Sequence, residues 1–198
     1  MPAIIHHLYV ALKYAERHPE LLDIPEYWLG QIAPDAVLSR PDGADLHAVT
    51  HLRRDGIPWE RSVLDSLRVH APLSPYLLGC HQHVVVDALF YGRFDTDGNN
   101  TGAYGEVMDI LDRMLLARMP EFPDIVARME QAQATDDYPG TTAGDLAAAV
   151  GGCRALAARM PAPEEILPDP DGYPLGKLLA QTDRLVEALE ALTQTDPG

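Results

Sequence analysis

The chain has 198 residues, with 30 acidic residues against 15 Lys and Arg, and a formal net charge of −15. Hydrophobic residues make up 46% of the sequence, which suffices for a sizeable core and excludes global disorder. The acidity argues against nucleic acid and against stable association with an anionic membrane, because both are bound through Lys and Arg contacts with phosphates. A small-molecule substrate or a metal ion is the expected partner, and the sequence indicates no oligomeric state.

The apolar periodicity is helical along most of the chain and predicts one all-α bundle over residues 1–198. The predicted helices, in chain order, cover residues 3–17, 58–70, 74–94, 105–119, 124–134, 142–160 and 175–193. A run of three valines in 74–94 is also typical of a strand, but the length of the segment and its lack of breakers favour a buried helix. Residues 161–174 are predicted to link the bundle to a C-terminal helix.

The N-terminal segment MPAIIHHLYVALKYAERH has no basic region before its apolar stretch and no small-residue cleavage motif. The sequence contains no uninterrupted apolar run of the roughly 20 residues needed to span a bilayer. Two cysteines are too few for a disulfide framework. These features predict a cytoplasmic protein.

The eight histidines all lie within the first 83 residues, and neutral imidazole is the commonest metal ligand in proteins. His83 and Asp87 are four residues apart, so they share one helix face, with Cβ atoms about 6 Å apart. His47 and His51 repeat this spacing, and a further histidine pair lies near the N-terminus. A hydrogen bond within the helix explains one His–Asp pair taken alone. The three pairs together predict a metal site, because an ionised Asp in an apolar helix needs a compensating charge.

Four segments, in chain order, carry a resemblance to a known family: MPAIIHHLYVA, YWLGQIAPDA, AVTHL and YLLGCHQHVVVDALF. Their G-x-x-x-P-D-A and G-x-x-x-H-x-x-x-D elements, all within residues 1–94, resemble the zinc-dependent phospholipase C family, which is related to the single-strand-specific fungal nucleases. The resemblance implies a helical bundle of the phospholipase C type, a zinc cofactor and hydrolysis of a phosphoester.

The resemblance also implies a ligand set. Asp35, His51, His83 and Asp87 match the ligands of one zinc ion, and His7 would join a bridging Asp87 at a neighbouring ion. Because no histidine follows His83, we expect one or two ions rather than three. A mixed His/Asp set suits Zn²⁺ and tolerates Mn²⁺ or Fe²⁺. A metal-bound water would then attack the phosphoester, with Asp35 and Asp87 as the candidate catalytic carboxylates.

Three more residues are candidates for an additional ligand or for support of a ligand: His47, His81 and Glu106. A surface position is the alternative for His47, and a place in the core is the alternative for His81. Residues 95–106 also resemble an EF-hand calcium loop in their oxygen-bearing side chains, but the glycine of position 6 is missing, so a polar loop is the favoured interpretation.

Substrate contacts are predicted for Arg93, Tyr91 and Asn99, since an Arg fork binds phosphate in a bidentate manner. Arg53 and Arg54, just after His51, compete for this role. The sequence as a whole favours a zinc-dependent hydrolase that cleaves a phosphoester of a small soluble metabolite. Two alternatives stay open: a metalloenzyme of the same fold with changed chemistry, such as a lyase or non-phosphate hydrolase in small-molecule biosynthesis, and a non-catalytic helical domain with a structural metal.

Overall fold

A computed structural model describes residues 4–70, 72–94, 110–133, 138–160 and 175–194. Within these ranges the regular structure is entirely helical and contains no strand, so the predicted all-α class is confirmed. None of the helices in these ranges is both long enough and apolar enough to cross a membrane. The proposed linker, 161–174, lies outside the described residues.

The helices in chain order are α1 (Ile4–Ala15), α2 (Pro25–Gly30), α3 (Ala33–Ala36), α4 (Gly43–Thr50), α5 (Trp59–His70), α6 (Pro75–Phe94), α7 (helical over 110–116), α8 (Phe122–Gln131), α9 (Ala143–Ala157) and α10 (Leu175–Gln194). The predicted long helices are present with shifts of a few residues at their ends, and the one predicted over 105–119 is described only from residue 110. Sequence periodicity missed α2, α3 and α4. These helices have 6, 4 and 8 residues, too few to show a repeating apolar face.

Helix α6 forms the centre of the bundle and packs against α1, α2, α5 and α10. Its valine run is helical and buried, with Val84, Val85 and Val86 at most 4% exposed. The run can be apolar on every side because neighbouring helices cover it on several faces, which removes the need for a polar stripe. The C-terminal helix α10 packs against α1 as well as α6.

Two glycines set the distance between α2 and α6. A Cβ atom built on Gly30 would lie 2.2 Å from the Tyr76 carbonyl oxygen, and one built on Gly79 would lie 2.4 Å from the Tyr27 carbonyl oxygen. Both obstacles are backbone atoms, so the two helices touch at a place where only glycine fits. This close crossing explains the glycine that stands four residues before His83.

A buried hydrogen-bond network stabilises the same contact between α2 and α6. The Gln31 side-chain amide donates to Gln82 Oε1 at 2.9 Å, and the Tyr27 hydroxyl lies 2.8 Å from the same oxygen. Gln31 and Gln82 are both buried, and paired buried polar groups hold their neighbours in one arrangement. The register of α2 on α6 is therefore specified by both steric and polar contacts.

Candidate metal centre

Four separate elements bring their side chains to one place at the centre of the bundle. Helix α1 supplies His7, α3 supplies Asp35, and α6 supplies His83 and Asp87. His51 lies at the C-terminal end of α4. The two shortest contributing helices, α3 and α4, are among those that the sequence did not predict.

The turn after α4 holds His51 in position. Leu52 has φ 56°, a left-handed value that favours glycine. The Leu52 amide donates to the Val49 carbonyl at 3.0 Å and the Arg53 amide donates to the Ala48 carbonyl at 2.9 Å, which closes the end of the helix. The indole N–H of Trp59 donates to the His51 carbonyl at 2.6 Å and anchors the backbone of the ligand residue itself.

Asp35, His51, His83 and Asp87 surround a common point. His51 Nε2 lies 2.9 Å from Asp87 Oδ2 and 3.5 Å from Asp35 Oδ1, while His83 Nε2 lies 3.7 Å and 3.8 Å from Asp87 Oδ2 and Asp35 Oδ2. Ligands bound to zinc at roughly 2.0–2.1 Å in a tetrahedron are separated by about 3.4 Å. The four distances, 2.9 to 3.8 Å, lie near that value, so these side chains are close enough together to share one ion.

His7 faces the other oxygen of the same carboxylate. His7 Nε2 is 3.3 Å from Asp87 Oδ1, and its ring is stacked on that of His83 with centroids 3.7 Å apart and an angle of 8° between the planes. Asp87 therefore turns one oxygen towards His51 and His83 and the other towards His7. This is the arrangement of a carboxylate that can bridge two cations.

The Nδ1 hydrogen bonds of His51 and His83 leave Nε2 as the atom that faces the carboxylates. His83 Nδ1 donates to the Gln31 carbonyl at 2.7 Å, and His51 Nδ1 donates to the His47 carbonyl at 3.0 Å, because a carbonyl can only accept. In the neutral rings each Nε2 then carries a lone pair. An imidazole lone pair 2.9 Å from a carboxylate oxygen is repulsive unless a cation lies between them. Metal-binding histidines in proteins are commonly oriented in the same way, by a hydrogen bond from the other ring nitrogen to a carbonyl.

The ligand atoms have no other partner within the described part of the chain. Buried atoms without a hydrogen bond include Nε2 of His7, His51 and His83, Oδ1 of Asp35, and both carboxylate oxygens of Asp87. Buried polar groups are rarely left unsatisfied in folded proteins, and here they converge. Their number, their type and their spacing fit a divalent cation.

The ionisation of these groups also suits a cation. Burial, reinforced by the neighbouring His7, lowers the pKa of His83 to about 3, so its ring is neutral near pH 7. Burial opposes ionisation of Asp87, but His7, His51 and His83 outweigh it and hold the Asp87 pKa well below the ordinary value. The pKa of Asp35 is lowered in the same way, with His83 as the largest favourable contribution. The carboxylates are thus stabilised by positive charge on the imidazole side, and a divalent cation held by the same side chains would supply that charge.

Two overlapping groups of side chains could therefore hold a metal ion: one consists of His7, His83 and Asp87, the other of Asp35, His51 and His83. They share His83, which has one free nitrogen because the other donates to Gln31. A single lone pair serves one ion, so His83 can belong to only one of two simultaneous sites. Its Nε2 lies 3.8 Å from Asp35 Oδ2 and 3.7 Å from Asp87 Oδ2, within reach of either group.

One edge of the cluster, formed by Asp35 and His47 and called the open edge below, is partly exposed. The side chains of His7, His51 and His83 are 0% exposed and that of Asp87 is 1% exposed. Asp35 and His47, by contrast, are 11% and 18% exposed, and His47 Nε2 lies 3.3 Å from Asp35 Oδ1. His47, which the sequence left as either a ligand or a surface residue, lies at this edge.

His81, the second candidate for support of a ligand, lies in the core away from the cluster. Its Nδ1 donates to the Leu77 carbonyl at 2.8 Å, its Nε2 lies 3.2 Å from the Ser66 hydroxyl, and its ring meets Tyr138 edge-on. The side chain is 2% exposed. His81 thus resembles His83 in burial and helix but not in position, which makes it a matched control.

His6 turns away from His7 towards α10. Its Nε2 is 3.4 Å from the Thr182 hydroxyl, and its ring meets Phe90 edge-on at 5.1 Å. Burial, followed by the proximity of His7, lowers the pKa of His6 to about 3. His6 is therefore a neutral core residue.

The buried His6 predicts an unusual loss of stability in mild acid. Its folded pKa lies below the unfolded value of about 6.5, so the unfolded chain takes up the proton first. Stability should fall as the pH decreases from about 6.5 towards 3, by up to about 1.4 kcal/mol per pH unit for this group. Urea unfolding of chelator-treated protein at pH 7.5, 6.0 and 5.0 measures it. His6→Gln should show a shallower dependence, and equal slopes in both proteins would contradict the assignment.

The predicted substrate residues are described only in part. Tyr91 and Arg93 belong to α6, but their side chains, together with Asn99, Glu106 and the whole EF-hand-like segment 95–106, lie outside the described residues. Arg53 and Arg54 are exposed, and the Arg53 guanidinium lies 4.0 Å above the ring of Trp59. Sequence reasoning missed the main-chain carbonyl of Gln31, which accepts a hydrogen bond from His83. The only sequence signal for this contact was Gly79, which lies where α6 touches α2.

A search of family models found no match, and no curated protein or solved structure matched the chain at a significant level.

Proposed function

We propose that this protein is a divalent-metal-dependent hydrolase, with zinc as the preferred ion, that cleaves a phosphoester of a small soluble metabolite. The observation that carries the proposal is the convergence of three imidazoles and two carboxylates whose potential ligand atoms are buried, lack hydrogen bonds and face one another. The similarity of the motifs to the zinc-dependent phospholipase C family adds the reaction type.

Some residues of the chain would hold the metal, and others orient the imidazoles that hold it. Asp35, His51, His83 and Asp87 would hold one ion, and His7 with the second oxygen of Asp87 would contribute to a neighbouring one. Zinc supplies Lewis-acid chemistry, lowering the pKa of water and neutralising charge on a phosphoryl oxygen. Gln31 and the His47 carbonyl orient the two imidazoles that face both carboxylates.

Of the two carboxylates, Asp35 is the one that can exchange a proton with solvent or substrate. It lies at the open edge, whereas Asp87 is enclosed by His7, His51 and His83. We propose Asp35 as the general base or acid of the reaction and Asp87 as the bridging ligand. Four protein ligands would close a structural zinc site, so the catalytic role requires Asp35, the partly exposed member of the set, to yield its place at the ion to water or substrate.

Metal analysis of the purified protein, combined with an assay on a generic aryl phosphodiester, tests the proposal. We expect one or two equivalents of zinc and phosphodiester hydrolysis that is lost with a chelator and restored by zinc. Bound metal without phosphoesterase activity would favour the alternative of changed chemistry on the same scaffold. A protein without bound metal that takes up none from a zinc buffer would contradict the metal centre itself.

Zinc should also stabilise the fold measurably. A ligand present at a thousand times its Kd adds about 4 kcal/mol, which corresponds to roughly 10 °C in Tm for a domain of this size. Thermal unfolding with zinc and with a chelator measures the shift. His83→Gln should lose most of it, whereas His81→Gln, a change of the same residue type on the same buried helix, should retain it. An equal loss in both variants would indicate a general effect on folding.

A further inference from the structure

His47 is a partly exposed side chain in contact with two of the proposed ligands, Asp35 and His51. It is 18% exposed, next to Asp35 at 11%, while the other members of the cluster are enclosed. Among the described members of the cluster, His47 and Asp35 are therefore the side chains that a molecule from solvent could reach.

The position of His47 is coupled to that of a ligand. Its ring is stacked on His51 with centroids 3.7 Å apart and an angle of 24° between the planes. Its carbonyl oxygen accepts the His51 Nδ1 hydrogen bond at 3.0 Å. His47 consequently stays at a fixed distance from the centre, as a residue that positions a substrate group must.

His47 is nevertheless outside both groups that could hold a metal ion. Its Nε2 is buried and has no hydrogen bond within the described part of the chain, although it lies 3.3 Å from Asp35 Oδ1. The nearby Arg40 is already engaged, since it forms two hydrogen bonds with Asp42 and approaches Asp145 at 3.7 Å. His47 is thus a polar side chain that contacts the proposed ligands without being one of them, and it is available at the open edge.

We infer that His47 contacts the phosphoryl group of the substrate at the open edge of the centre, and therefore also inorganic phosphate used as a probe of that position. The inference rests on the metal-dependent function proposed above. It assigns His47 to substrate binding rather than to holding the metal. A hydrogen bond to a charged group contributes about 1.5–3 kcal/mol, so loss of the imidazole should weaken phosphate binding roughly ten- to hundredfold.

The test is calorimetric titration of inorganic phosphate into the zinc-loaded protein, after free zinc has been removed. His47→Ala should keep the zinc content of the wild type but raise the phosphate Kd roughly ten- to hundredfold, with His47→Gln intermediate because it retains a donor. On an aryl phosphodiester the same variant should raise KM more than it lowers kcat. Val49→Ala, an exposed position on the same helix, should match the wild type.

The contrary results are distinct. An unchanged phosphate Kd in His47→Ala, or a loss of zinc from that variant, would overturn the assignment and leave the proposed hydrolase intact. A wild-type zinc protein that binds no phosphate would overturn the His47 inference, and one that also fails to hydrolyse the aryl phosphodiester would refute the phosphoester function. Circular dichroism of each variant checks that the overall helix content is retained.

Discussion

Replacing Asp87 with asparagine should lower zinc affinity by at least a hundredfold and abolish metal-dependent hydrolysis. Asp87 is 1% exposed, and its two oxygens face His51 and His83 on one side and His7 on the other. Asparagine keeps the shape but removes the charge that opposes the cation and supplies a poorer ligand. Equilibrium dialysis with zinc and thermal unfolding with and without the metal provide the measurement.

Asp145 offers a control of the same residue type. It is 5% exposed and is not a member of either candidate metal-binding group. It forms a capping box with Thr142 at the start of α9. Asp145→Asn should cost about 1 kcal/mol of stability through the weakened cap and leave zinc content unchanged. Zinc binding by Asp87→Asn with the wild-type Kd would refute the assignment of Asp87 as a ligand.

Gly79→Ala is expected to destabilise the protein by roughly 2–4 kcal/mol, although alanine is the better helix former. The added Cβ would lie 2.4 Å from the Tyr27 carbonyl oxygen and 2.9 Å from the Gly30 Cα, so α2 and α6 would have to separate. The hydrogen bond from His83 to the Gln31 carbonyl spans the same crossing. Zinc affinity should therefore fall about ten- to hundredfold as well, as it does when a histidine ligand loses its orienting partner.

The matched control is Gly151→Ala in α9, where an added Cβ has no atom within 4 Å. Removing a glycine from an open helix position should stabilise the protein by about 0.5–1 kcal/mol and leave zinc affinity unchanged. Urea unfolding and zinc dialysis of both variants give the comparison. If Gly79→Ala were as stable as Gly151→Ala, the helices would not cross as closely as described.

The helical class and the long helices could be predicted because their apolar residues repeat over several turns. The helices that carry Asp35 and His51 could not, because 4 and 8 residues hold too few turns for a pattern. The histidine clustering and the HxxxD spacing nevertheless drew attention to side chains that the fold brings together. Spacing along one helix determines which groups share a face, and this information is local.

Other features of the centre depend on long-range contacts. The sequence left open whether His81 supports a ligand, and its contacts with Leu77, Ser66 and Tyr138 place it in the core. The carbonyl of Gln31 carries no side-chain signature, so its role in orienting His83 was invisible. The open edge at His47 likewise follows from packing and not from the spacing between His47 and His51.

By itself, the sequence determined the residue types, the helical class and the spacing that sets His83 and Asp87 on one face of α6. Only the tertiary structure decided which atoms meet. His7, Asp35 and His51 approach α6 from three other elements, and their distances depend on how those elements pack. The physical reason is that a glycine contact between α2 and α6 and a set of buried hydrogen bonds fix separations between residues far apart in the chain.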